Sequence, residues 1–117
     1  FRMIDGTGKK IRVVNEVATA LGLHNVEAIH RRGEEEKGHF DFVVSRAVMP
    51  LPDLVKIVRK NVSKTQHNAL SNGVIALKGG NLSEELKPVG KKVMVTPISD
   101  YFTEDWFADK QIIYLPL

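Results

Sequence analysis

Cysteine is absent from these 117 residues, which excludes disulfides and thiolate metal sites. Four histidines, His24, His30, His39 and His67, are too scattered to share a ligand spacing, so no structural metal is expected. Aromatic residues are few, with one Trp, two Tyr and five Phe. No apolar run is long enough to span a bilayer, and no pattern of basic start, apolar middle and small-residue cleavage site is present. The expectation is a cytoplasmic protein without a membrane partner. Phe1 is not an initiating residue and stands inside an apolar run, so the sequence is expected to be cut from a longer one.

What remains is an ordinary globular composition, 43% hydrophobic and 26% charged, about one domain in length. The net charge of +3 is unevenly spread. Residues 1–99 carry 16 Lys and Arg against 10 Asp and Glu, whereas residues 100–117 carry one against four. The body can face a polyanion, or the excess can be a solvated surface.

Apolar periodicity gives the order strand, helix, strand, strand, helix, strand, short helix, strand, strand. Residues 1–4 read as a buried parallel strand ending at Asp5 and a glycine-rich turn. Residues 8–21 place Ile11, Val14, Val17, Ala18 and Leu21 on one helical face, with a stop near Gly22. Strands follow at 26–29 and 40–44, separated by the charged loop RRGEEEKGH. A helix starts at Pro50 and Pro52 and takes its apolar side from Leu54, Val55, Ile57, Val58 and Val62. Asn72 and Gly73 turn into a strand at 74–77, and 82–86 makes one or two helical turns. Residues 93–98 and 112–117 are expected to pair antiparallel around the acidic and aromatic connector DYFTEDWFADKQ. The pattern predicts an α/β domain with a mostly parallel sheet closed by a C-terminal antiparallel hairpin.

The opening FRMIDGTGKK raises the possibility of a phosphate loop. A Walker loop needs glycine five positions before the Gly8-Lys9 pair and a hydroxyl residue after it, but Met3 and Lys10 stand there. A dinucleotide fingerprint begun at Gly6 needs a third glycine where Ile11 stands. Neither loop is present.

Ligands of open α/β sheets sit outside the carboxyl ends of the parallel strands, and the polar residues of this chain collect there. Asp5 ends the first strand; Arg31, Arg32, Gly33 and Glu34 follow the second; Ser45 and Arg46 follow the third; Lys78, Gly79 and Gly80 follow the fourth. An ionised carboxylate is acceptor-only, so Asp5 suits either two ribose hydroxyls or an ordinary loop hydrogen bond. Arg46 suits a ligand contact or an ion pair with Asp5 or Glu34. The ribose acid of a nucleotide-binding sheet stands roughly 20 residues after its glycine-rich loop. No segment before Asp5 supplies one, so residues 1–21 read as the second unit of such a sheet.

The series IDGTGKKIRVVNEV, RRGEEE, FDFVVSRAVMPL and GVIALKGG resembles the RsmG (GidB) family, S-adenosylmethionine-dependent methyltransferases of small-subunit ribosomal RNA. The resemblance spans nearly the whole chain, and SRAVMPL followed by ALKGG is its specific part. It implies a Rossmann-like methyltransferase sheet and an N7-methylated guanine as product. It places Asp5 at the cofactor ribose and Gly33 and Glu34 along the adenine, and it lets Arg46 reach the same pocket. Gly33 stands where relatives often carry alanine, which leaves a backbone contact intact. The glycine-rich loop for the methionine end of the cofactor, the first strand and the preceding helical region have no counterpart here. By this resemblance residues 1–117 are a partial methyltransferase domain, with the first strand missing between the strands at 1–5 and 40–44.

Lys9, Lys10 and Arg12 crowd the start of a helix, where the macrodipole disfavours cations by up to about 1 kcal/mol each. They are either contacts for RNA phosphates or a solvated cluster. Lys78, which coincides with the family's LKG motif, is expected to meet the RNA substrate. Guanine N7 has a free lone pair, so methyl transfer needs alignment and exclusion of water rather than a strong base. No general base is assigned, and Glu34 and Glu35 are not read as a catalytic pair. Two other readings stand beside this one: a nicotinamide-dependent Rossmann oxidoreductase, whose ribose acid is equivalent, and a non-catalytic RNA-binding fragment.

Overall fold

The computed structural model describes residues 1–46 and 49–117; Ala47 and Val48, in the middle of the SRAVMPL motif, lie outside the described residues. The element order is the one that periodicity predicts: β1 (Arg2–Asp5), α1 (Gly8–Ala20), β2 (Glu27–His30), β3 (Phe42–Arg46), α2 (Leu51–Val58), β4 (Gly73–Gly79), α3 (Ser83–Leu86), β5 (Met94–Pro97) and β6 (Lys110–Pro116). The chain divides into two units, Phe1–Lys37 and Gly38–Leu117.

The first unit is one strand-helix-strand crossover. β1 and β2 run parallel with Asp5 opposite His30, as a helical connection requires. Helix α1 ends at Ala20 with Leu21 as its C-cap, and Gly22 follows with φ of +66°, a left-handed conformation that favours glycine. Of the predicted apolar face only Ile11 is buried and Val14 and Ala18 are half-buried; Val17 and Leu21 remain exposed. β1 is likewise half-buried rather than buried, and Phe1 is exposed. A sheet of two strands is too narrow to cover a helix of this length.

The second unit carries the core. Leu51, Leu54, Val55 and Val58 recur at helical spacing on α2, and Pro52 sits in its first turn, where a missing N–H costs nothing. They pack on Val74 and Ala76 of β4 and on Ile113 and Leu115 of β6, which are cross-strand partners on one face of the sheet. Strand order is β3-β4-β6-β5. Gly73 is fixed by close approach: a Cβ there would stand 2.2 Å from the Leu115 carbonyl oxygen. Ahead of it the buried Asn72 amide donates to the carbonyls of Ser63 (3.0 Å) and Thr65 (2.9 Å), folding the preceding loop onto the strand.

Two expectations change. The sheet is not mostly parallel: β1–β2 and β3–β4 pair parallel, whereas β4–β6 and β5–β6 pair antiparallel, in two sheets rather than one. The seven-residue β6 pairs with β4 along its full length and so places an antiparallel strand beside the central one. Strand ends also move. Ser45 and Arg46 belong to β3, paired with Ala76 and Leu77, and Lys78 and Gly79 belong to β4, paired with Gln111 and Lys110. Ladder hydrogen bonds extend these strands past the last apolar residue, where side-chain pattern gives no signal.

Candidate functional site

In the first unit the turn after β1 and the turn after β2 lie side by side. The Arg31 N–H donates to the Asp5 carbonyl at 3.0 Å, continuing the ladder one step beyond the strands. His30 Nε2 lies 3.0 Å from the Gly6 carbonyl oxygen, a contact in which the ring donates. A Cβ on Gly6 would touch the Arg32 side chain at 3.5 Å. Asp5, Gly33 and Glu34 are thereby held at the same end of the two parallel strands.

Asp5 makes a local turn of its own: its Oδ1 accepts from the Thr7 N–H at 2.7 Å. Its Oδ2 is 4.0 Å from Lys10 Nζ, whose side chain is 71% exposed, so this contact is heavily screened. Each oxygen keeps lone pairs for a ligand hydroxyl. Gly33 and Glu34 open a 3-10 turn, Gly33–Glu35, in which the Glu35 carboxylate accepts from the Arg32 N–H at 3.2 Å and the Glu35 N–H donates to the Arg32 carbonyl at 3.0 Å. Glu36 ends this turn and is buried. It accepts from Arg2 Nη1 at 3.1 Å and from Arg31 Nη1 at 3.2 and 3.3 Å. Arg2 also donates to Glu27 at 3.2 Å, and chiefly this hydrogen bond holds its guanidinium above the usual arginine value.

Lys9, Lys10 and Arg12 are exposed on the first turns of α1, whose first turn contains no acid. Arg46 and Lys78 belong to the second unit. Arg46 is exposed at the end of β3, opposite Leu77. Lys78, expected at a substrate, is turned inward. Its ammonium donates to the Met49 carbonyl and lies 3.3 Å from Glu85 Oε2. The same carboxylate oxygen accepts from the Leu51 N–H at 3.3 Å.

Three participants were not singled out by sequence. Glu36 is the third of three consecutive glutamates, and nothing local separates the buried one from its neighbours. His30 carries a positional signal, as the residue opposite Asp5. Glu85 is joined to Lys78 and Leu51 only by tertiary structure. Among the described residues no His, Cys, Asp and Glu group is arranged to hold a metal ion, and no helix is long and apolar enough to cross a membrane.

Two parallel strand-helix-strand crossovers with charged residues gathered at strand ends define a mixed α/β protein. The family model described as rRNA small subunit methyltransferase G (GidB) matches residues 1–113. The chain belongs to this family. It is 54% identical over 117 residues to the ribosomal RNA small subunit methyltransferase G of Phocaeicola vulgatus, covering all of this chain and 56% of that protein. The protein of the same name from Parabacteroides distasonis is 56% identical over 117 residues, covering all of this chain and 51% of its own. That of Christiangramia forsetii is 44% identical over the same length, with 55% of it covered. The chain thus spans about half the length of the curated relatives it matches.

Proposed function

We propose that this chain is part of an enzyme that transfers a methyl group from S-adenosylmethionine to N7 of a guanine in small-subunit ribosomal RNA. The observation that supports this reading is the backbone pairing at the ends of β1 and β2, which leaves Asp5 and the Gly33–Glu35 turn at the same end of the two strands in a chain of this family. These residues fit the nucleoside half of the cofactor. Asp5 offers acceptors to the ribose hydroxyls, which are donors, and Gly33 and Glu34 supply backbone and carboxylate contacts to the adenine. Arg46, in the second unit, is a further candidate for a cofactor contact in this reading.

S-adenosylmethionine, when bound, supplies the methyl group. The residues of this chain have to orient the nucleoside and keep water out, and none has to hold a proton taken from N7. In this reading residues 1–117 are the C-terminal part of a methyltransferase domain. The remainder of the family's length provides the glycine-rich loop for the methionine end and the first strand of a Rossmann-like sheet. Lys9, Lys10 and Arg12 face RNA phosphates beside the cofactor.

Calorimetric titration of S-adenosylmethionine into the full-length protein and into the 117-residue chain tests this, together with mass mapping of methylated guanines in small subunits. Expected are binding and N7 methylation by the full-length protein and weak or no binding by the chain alone. Tight binding by the chain overturns the partial-domain reading. Nicotinamide dinucleotide binding without S-adenosylmethionine binding overturns the activity and returns the oxidoreductase.

A further inference from the structure

We propose that the connector of residues 98–109, between β5 and β6, is a docking surface for a basic segment of another polypeptide, whose Arg or Lys side chains lie on its aromatic rings. The proposal goes beyond the methyltransferase reading and does not depend on it. Three large rings of this stretch stand in water: Tyr101 is 70% exposed, Phe102 53% and Trp106 65%. Phe107 gathers two of them into one patch, its ring centroid lying 5.2 Å from that of Phe102 and 5.1 Å from that of Trp106. Exposed aromatic side chains grouped in this way mark an interaction site rather than a core. The patch is also held in place. Ile98 is buried, and its carbonyl accepts from the N–H groups of Tyr101 at 2.9 Å and Phe102 at 3.0 Å, while the Phe107 N–H donates to the Glu104 carbonyl at 3.0 Å. At the other end of the connector the Asp109 carbonyl accepts from the Gly80 N–H at 3.0 Å, fastening it to the chain that leaves β4. A partner therefore has little of this surface to order on binding.

Charge selects the occupant. Asp100, Glu104, Asp105 and Asp109 stand exposed among these rings, in a stretch whose one cation is Lys110. A nucleic acid gains its affinity where phosphates meet cations, and four carboxylates oppose that. A basic polypeptide gains from the same carboxylates and from the faces of the rings, since tryptophan is the best of the aromatic partners for a cation. The connector already holds one cation in this manner: Lys110 Nζ lies over the Trp106 ring, 4.9 Å from its centroid, and 3.3 Å from Asp109 Oδ1. Asp109 is thereby occupied. Among the described residues no cation stands within ion-pair distance of Asp100, Glu104 or Asp105, so three carboxylates beside exposed rings are left for cations from outside.

The test uses the full-length protein and a labelled synthetic peptide of alternating Arg and Gly, titrated by fluorescence anisotropy across a salt series. Saturable binding is expected, and none to the same peptide with Gln in place of Arg. Trp106→Leu, which keeps an apolar side chain but removes the ring face, should weaken binding by about threefold or more at every salt concentration. Trp106→Phe should restore most of the loss. The double variant Glu104→Gln with Asp105→Asn should weaken binding at low salt and flatten its salt dependence. All of these side chains are exposed, so the melting temperatures should stay within a few degrees of wild type. Acrylamide should quench the part of the protein's fluorescence that Trp106→Phe removes, and bound peptide should protect it.

Absence of peptide binding overturns the proposal. So does an unchanged dissociation constant in Trp106→Leu, which makes the attraction a general one between a polycation and an acidic surface. Binding of an unpaired oligouridine that Trp106→Leu abolishes overturns it in favour of a platform for RNA bases. A wild-type dimer that Trp106→Leu dissociates makes a second copy of the protein the occupant, and a Trp106 that acrylamide does not reach in the full-length protein makes the occupant the rest of that protein; either result overturns the proposal. None of these outcomes bears on methyl transfer, which the titration of S-adenosylmethionine decides separately.

Discussion

Arg31 donates through one nitrogen to both carboxylate oxygens of the buried Glu36, at 3.2 and 3.3 Å. With Arg2 at 3.1 Å on the same carboxylate, one buried acid ties the start of β1 to the residue after β2 and to the end of the 33–36 turn. Replacing Glu36 with Ala is expected to destabilise the first unit by about 1–3 kcal/mol, since two guanidiniums lose their common acceptor. Both arginines are partly exposed and can rehydrate, which keeps the cost below that of a fully buried pair. Urea unfolding followed at residues of the Phe1–Lys37 unit measures it; an unshifted midpoint means that solvent already satisfies both arginines.

Gly73 offers a sharper test of packing. A Cβ at this position would meet the Leu115 carbonyl at 2.2 Å and the Pro116 Cα at 2.8 Å, both backbone atoms of the neighbouring strand. Gly73→Ala must separate β4 from β6 at that point, and a loss of about 2–3 kcal/mol is expected. Thermal unfolding of the variant checks this. By contrast Gly22→Ala, which meets no atom but must hold φ at +66°, should cost only about 1 kcal/mol.

These two glycines mark what sequence could and could not reveal. Gly22 was legible because a helix stop needs only local pattern, and the α2 face was legible because Leu54, Val55 and Val58 repeat at helical spacing. Asp5 was legible as a strand-end acid next to a glycine turn. Gly73 was legible as a turn residue, yet its real constraint is a strand that arrives some forty positions later in the chain. The same holds for the site. The burial of Glu36 and the inward turn of Lys78 depend on partners distant in sequence, Arg2 in one case and Glu85 with Met49 in the other. Periodicity reports which face of an element is apolar, not which polar group on it will be enclosed.

Arg46 separates a binding role from a structural one. Its side chain is exposed at the last position of β3, so its removal should leave the sheet nearly as stable, within about 0.5 kcal/mol. If it reaches the cofactor pocket, Arg46→Ala lowers methyl transfer by the full-length protein at least tenfold at an unchanged melting temperature. Paired activity and melting measurements decide: full activity together with a lowered melting temperature makes Arg46 a structural cation.

Lys9, Lys10 and Arg12 break a local rule, because cations at the amino end of a helix oppose its dipole and no acid in the first turn of α1 offsets them. Of these three cations, Lys10 stands at ion-pair distance from Asp5, at the end of β1, at 4.0 Å and in an exposed setting. A footprint on RNA gives the cluster a reason to persist, since each cation that meets a phosphate releases condensed counterions on binding. Replacing all three residues with Gln in the full-length protein should therefore weaken binding to ribosomal RNA. It should also flatten the log-log salt dependence by roughly 0.7 to 0.9 for each phosphate that is no longer neutralised. Helix α1 should become slightly more stable, and cofactor affinity should change by less than about threefold, because the Lys10 contact to Asp5 is screened. Filter binding across a salt series and calorimetry on the same preparation provide both numbers. An unaltered slope in the triple variant makes the cluster a solvated surface. A slope lowered together with a large drop in cofactor affinity instead assigns these cations to the cofactor side of the site.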